Sequence, residues 1–117
     1  MELSAQYITK TRVALTALEA YINTEHFSSF LDFLENRVNT GSRLVLTGVG
    51  KHSHIARKIS ETMASLGIKS FFLDACHAPH GDFGYLQPND TIIYITRSGT
   101  TKEISEAIWY VNNEFVN

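Results

Sequence analysis

The sequence predicts an α/β fold: a short parallel sheet preceded by N-terminal helices. Two observations carry this reading. Three β-rich runs, near 43–47, 70–73 and 91–95, alternate with stretches of helical periodicity, and such alternation builds βαβ units with right-handed crossovers and parallel strands. The first and third runs also lead through small residues, Gly48-Val49-Gly50 and Ser98-Gly99-Thr100, straight into a helical segment.

The first forty residues read as helix. Tyr7, Ile8, Val13, Leu15, Leu18, Tyr21 and Ile22 recur at helical spacing without an interrupting Gly or Pro. A second series follows, Phe27, Phe30, Leu31, Phe33, Leu34 and Val38, with Ser28 or Ser29 as its expected cap. Asn39-Thr40-Gly41-Ser42 closes the region, and the near-continuous apolar run Leu44-Val45-Leu46 suits a buried parallel strand. Residues 52–66 return to helical spacing, with Ile55, Ile59, Met63 and Leu66 predicted on the buried face and Gly67 at the C-terminal cap. A second strand is expected near 70–74, then a long loop, 75–89, holding both prolines. Thr91–Ile95 is the third strand, and a helix from about Lys102 presents Ile104, Ile108 and Val111. The chain is expected to be one domain, 1–117, with a helical segment 1–40 and an α/β part 41–117. Three strands make a small sheet, so either the domain is shortened or a partner covers its open edge.

Composition narrows the function classes. Ten basic and twelve acidic residues give a net charge of −2, without the basic excess of a nucleic-acid or anionic-membrane surface. One cysteine, Cys76, excludes an internal disulfide framework. No apolar run approaches the ~20 residues that span a bilayer, and the N-terminus lacks a signal-peptide pattern. The sequon Asn89-Asp90-Thr91 is read as incidental, and a cytoplasmic location is expected.

In a parallel sheet, ligands bind at the carboxyl ends of the strands, where helix N-termini offer free N–H groups to anions. Gly48–Ser53 and Thr96–Thr101 are two such exits, with the Lys51 ammonium in one and several hydroxyls in the other. Val45 and His52 break the P-loop pattern, and Ser53 breaks the dinucleotide fingerprint. Each loop alone fits a tight turn or a helix cap as well as a ligand site; together they favour a phosphate site. Cys76, His77, His80 and Asp82 could be read as metal ligands, but their spacing matches no strong zinc pattern, and neither a metal nor another cofactor is expected. His80 is expected to face the cleft and His54 to be solvated.

Three ordered blocks carry a resemblance: 48–58 (Gly-Val-Gly-Lys-His-Ser-His-Ile-Ala-Arg-Lys), 78–84 (Ala-Pro-His-Gly-Asp-Phe-Gly) and 96–103 (Thr-Arg-Ser-Gly-Thr-Thr-Lys-Glu). They resemble the sugar isomerase (SIS) domain, and within it the arabinose 5-phosphate isomerases of Kdo and lipopolysaccharide biosynthesis. The resemblance implies a flavodoxin-like three-layer α/β/α fold, a sugar phosphate ligand, and a homodimer or homotetramer with the site shared between subunits. It places Lys51, His80 and Glu103 at catalytic positions. Thr96, Ser98, Thr100 and Thr101 fall on the phosphate-binding segment, and Ser53 is a candidate for the same work. It also implies aldose–ketose isomerisation through an enediolate. Without the resemblance, Glu103 reads as a first-turn carboxylate favoured by the helix dipole. His52 stands where related proteins carry a phosphate-binding serine. Arg97 replaces Asn or Gln, which either strengthens anion binding or crowds the loop. Against the family pattern the chain is expected to be C-terminally shortened. Two alternatives stay open: a phosphosugar-binding regulatory module without turnover, and a structural oligomerisation fragment.

Overall fold

The computed structural model describes residues 2–114 and divides into two compact units, Met1–Asn36 and Arg37–Asn117. The first unit holds α1 (Glu2–Ile22) and most of α2 (Glu25–Asn39). The cap of α2 is Thr24 rather than Ser28 or Ser29: its hydroxyl accepts the Phe27 amide at 3.3 Å. The chain breaks at Asn23-Thr24, so both serines lie inside the helix. Tyr21 packs edge-to-face on Phe27 across the turn, ring centroids 5.6 Å apart. Neither helix has a buried residue.

The second unit contains β1 (Leu44–Gly48), α3 (Lys51–Ser65), β2 (Ser70–Phe72), β3 (Thr91–Ile95) and α4 (Lys102–Glu114). The strands are parallel in the order β2-β1-β3, which is the start of the flavodoxin-like order. The first crossover leaves β1 to one side and the second returns to the other. Crossovers of one hand therefore put their connections on opposite faces. Alternation along β1 gives each face its side chains. Leu44 and Leu46 point to one face. Val45 points to the other, clustering with Leu73, Ala78, Phe83, Leu86 and Ala107. Helix α3 covers the first face. The β2–β3 connection and α4 cover the second, so the unit has three layers, α/β/α.

Two helix faces differ from their predicted form. Helix α3 buries Ala56 and Ser60 while Ile55 is 49% exposed and Leu66 74%. Ile59 and Met63, from the same predicted face, are half-buried. Small residues let the helix lie closest to the sheet, and Ile55 sits at its flank. Helix α4 buries Ile104 and Ala107, leaves Ile108 more exposed, and stacks Tyr110 on Phe83 at 4.2 Å between ring centroids. The 75–89 segment is not a plain loop: it winds into two 3₁₀ turns, Ala78–His80 and Asp82–Tyr85. Burial pushes the hydroxyl of Tyr94, on the same face, up to about 12.

A polar network ties the amino ends of β1 and β3 together. Arg43 donates from Nε to Asp90 Oδ1 at 2.8 Å and from Nη2 to Asp90 Oδ2 at 2.6 Å. The Asp90 side chain is 4% exposed and also accepts the Gln87 amide at 2.8 Å. These hydrogen bonds raise the Arg43 pKa further above its ordinary value. Beside them, Ser42 Oγ and Thr91 Oγ1 lie 2.8 Å apart, and Arg37 Nε donates to Thr91 Oγ1 at 2.8 Å. Arg43 is partly exposed, so water compensates it in part when its partner is removed. Asp90→Ala is expected to cost about 1–2 kcal/mol, the loss of hydrogen bonds to a charged group, read as a lower urea midpoint; a midpoint unchanged from wild type would show that the pair does not clamp the sheet.

Candidate functional site

The strand order reverses at β1. Its two neighbours are reached by crossovers on opposite faces, which opens a crevice at the carboxyl ends of β1 and β3, the place where open α/β sheets bind ligands. Both loops singled out in the sequence leave those ends, because Gly48 pairs with Ile95 in the last rung.

The first loop is shaped by two glycines. A Cβ on Gly48 would lie 2.9 Å from the His52 carbonyl carbon and oxygen and 3.0 Å from the Ile95 oxygen. Only glycine lets the first turn of α3 sit against both strand ends. Gly50 takes φ +60° and ψ −127°, a region open to glycine alone, and this swings Lys51 into the first position of the helix. Lys51 is exposed and His52 and Ser53 are half-buried. The Ser53 hydroxyl donates to the Gly50 carbonyl at 2.6 Å, so its proton is spent inside the loop.

The second loop folds on its own hydroxyls. Thr96 Oγ1 accepts the Gly99 amide at 3.2 Å and lies 3.4 Å from Thr101 Oγ1. Ser98 Oγ accepts both the amide and the hydroxyl of Thr100, each at 3.2 Å. The Ser98 proton stays available, and the first N–H groups of α4 lack intrahelical partners. Glu103, half-buried, stands in that first turn.

The loop after β2 joins the same edge. Asp74 Oδ1 accepts the Cys76 amide at 2.8 Å, and its Oδ2 lies 3.3 Å from His77 Nδ1. Partial desolvation, then the negative charges of Asp74 and Glu103, push the Cys76 thiol up; the Glu103 charge acting there links this loop to the start of α4. His80 lies exposed in the first 3₁₀ turn, and His54 is exposed on α3. No hydrogen bond or ion pair joins Lys51, His80 and Glu103 to one another among the described residues. Nor do three His, Cys, Asp or Glu side chains converge there as metal ligands. A cavity of about 560 Å³ lies elsewhere, along the open edge of β2, lined by Arg43, Arg57, Phe71, Phe72 and Asp74 among others. His77 and Asp82, from the loop after β2, also line it, but Lys51, His80, Glu103 and the Thr96–Thr101 segment do not.

Two features of the site were not read from the sequence. From sequence Gly48 reads as part of a turn, whereas its close packing sets the spacing of the crevice. Thr47, a polar residue in an apolar strand, is buried with its hydroxyl unpaired.

The SIS domain profile matches residues 39–116. The chain belongs to the SIS domain family. An uncharacterized protein of Rickettsia prowazekii, RP505, is 38% identical over 105 residues, covering 88% of this chain and 32% of that protein. The arabinose 5-phosphate isomerase KdsD of Salmonella typhi is 40% identical over 97 residues, covering 83% of this chain and 28% of KdsD. Among solved structures, E. coli CFT073 c3406 in complex with A5P superposes with a TM-score of 0.80 at 31% identity, over 100% of this chain and 62% of that one. The chain thus spans about a third of the length of the curated relatives it matches. Among the described residues, no helix of this SIS chain is long and apolar enough to cross a membrane.

The close contacts of Gly48 give the site a direct test. Gly48→Ala is expected to cost about 1–3 kcal/mol through overpacking, because both contacting groups are backbone. Equal urea midpoints for Gly48→Ala and wild type would contradict the packing described.

Proposed function

We propose that this SIS chain takes part in phosphosugar aldose–ketose isomerisation, interconverting arabinose 5-phosphate and ribulose 5-phosphate through an enediolate. The observation that carries the reading is the pairing of the Gly48–Ser53 and Thr96–Glu103 exits at one strand edge. It is supported by the likeness to arabinose 5-phosphate isomerases and to a structure holding A5P.

In this reading the Thr96–Thr101 segment and the first amides of α4 hold the phosphate. Ser98 and Thr101 are its main side chains, with Thr96, Thr100 and Ser53 supporting the loop geometry. Glu103 moves the proton between C1 and C2; its half-buried position suits a carboxylate base. Lys51 stabilises charge developing on the adjacent oxygen. His80 assists ring opening or proton shuttling. The reaction is internally redox-balanced: the proton leaves C2 of the aldose, returns at C1, and the carbonyl moves the other way.

We also propose a cytoplasmic enzyme of Kdo and lipopolysaccharide biosynthesis that works as a homodimer or homotetramer. The exposed apolar residues of α1 and α2, such as Tyr7, Leu15, Phe30 and Phe33, support assembly. A phosphosugar-binding module without turnover is the second reading. It is favoured by the lack of any hydrogen bond or ion pair joining Lys51, His80 and Glu103 to one another among the described residues.

Isomerisation measured without added metal separates the two. Lys51→Ala should lower kcat by ~100- to 1,000-fold, the usual loss for one transition-state donor, and Glu103→Gln should do at least as much harm. Equal rates for wild type and Glu103→Gln would remove the proposed base. Binding of arabinose 5-phosphate without turnover would favour the binding module.

A further inference from the structure

We infer that the open edge of β2 is a self-association surface: two copies pair their β2 strands antiparallel across a two-fold axis, joining two three-stranded sheets into one. The inference stands on the fold, independently of the reaction proposed above. In the order β2-β1-β3, β2 has a neighbour on one side only. The Lys69 carbonyl accepts the Leu44 amide at 2.8 Å, and the Leu73 amide donates to the Leu46 carbonyl at 2.9 Å. Residues 69, 71 and 73 therefore turn their backbone groups toward β1, and alternation turns those of Ser70 and Phe72 outward. No other backbone group meets them among the described residues. Such an edge is a template for another strand, and Ser70-Phe71-Phe72-Leu73 is rich in β-forming side chains.

The space along this edge has the shape of a strand. Phe71 and Phe72 point to opposite faces of the sheet. Both nevertheless line the cavity of about 560 Å³, and both line a second cavity of about 210 Å³ with Ser60, Glu61 and Ser70. The opening wraps around the edge, and a strand laid on it sends alternate side chains to the two faces. Charge selects a second copy as that strand. Arg57 lies over the Phe72 ring at 4.5 Å, level with Phe72. Ser70 Oγ donates to the Ser60 carbonyl at 2.6 Å, which puts Glu61 level with Ser70. Both charged side chains are exposed, and neither forms an ion pair or hydrogen bond within the chain among the described residues. Antiparallel pairing centred on Phe71 sets Phe72 opposite the other copy's Ser70, and each such pair exchanges its outward N–H and C=O groups. Arg57 then meets the other copy's Glu61, and the two-fold axis repeats the contact.

Sedimentation equilibrium on the whole chain tests this with Arg57→Glu and Glu61→Arg, each alone and the two mixed one to one. Wild type is expected to self-associate. Each variant alone sets like charges against each other across the axis, and its dissociation constant is expected to rise about tenfold or more. The mixture is expected to recover wild-type association, because in a mixed pair both contacts are again Arg with Glu. Damage to α3 within one chain would not be repaired by mixing. The apolar residues of α1 and α2 are unchanged in both variants, so association through them alone would not respond. Association unchanged in both variants, a mixture no stronger than its components, or a wild-type monomer at high micromolar concentration would each overturn the inference.

Discussion

The bidentate bond between Arg43 and Asp90 holds β1 and β3 at their amino ends, and everything at the carboxyl ends depends on that register. Parallel strands in register deliver Gly48 opposite Ile95. A slip by one residue would turn Val45 and Thr47 to the α3 face and carry the two exit loops out of step. A strong charged pair therefore stands at one pole of the sheet, and a site built of weak, mostly backbone groups stands at the other.

That division has a physical logic. Asp90 is buried and fully engaged, so it contributes stability and little else. The exits are the opposite case. Lys51, Arg97 and Ser98 are exposed, and the second loop bonds largely to itself. Such a loop keeps its shape without a ligand while leaving charge and amides facing solvent. Pre-organisation of this kind limits the ordering cost of binding.

The strands were legible because each combined a dense apolar run with a turn signal, as in Leu44-Val45-Leu46 before Gly48. The parallel arrangement followed from strand–helix alternation. The buried face of α3 was legible only in part: periodicity selects the large apolar residues, of which Ile59 and Met63 are half-buried while Ile55 and Leu66 are exposed, but the closest approach to the sheet selects Ala56 and Ser60. The Thr24 cap was hidden because three hydroxyl residues lie near the break between α1 and α2 and only the backbone decides which one caps. In the site, the loop positions were readable from glycine spacing and from the family resemblance. The internal use of the Ser53 and Thr100 hydroxyls was not, because a serine in a string looks the same whether its proton is free or spent.

The central claim is that the exits of β1 and β3 form one ligand site. Amide chemical shifts followed while arabinose 5-phosphate is titrated into the protein test it most directly. The account predicts that resonances of residues 48–53 and 96–103 move together and saturate at one concentration. Shifts confined to one of the two loops, or centred on the β2-edge cavity around Arg57 and Phe72, would contradict it.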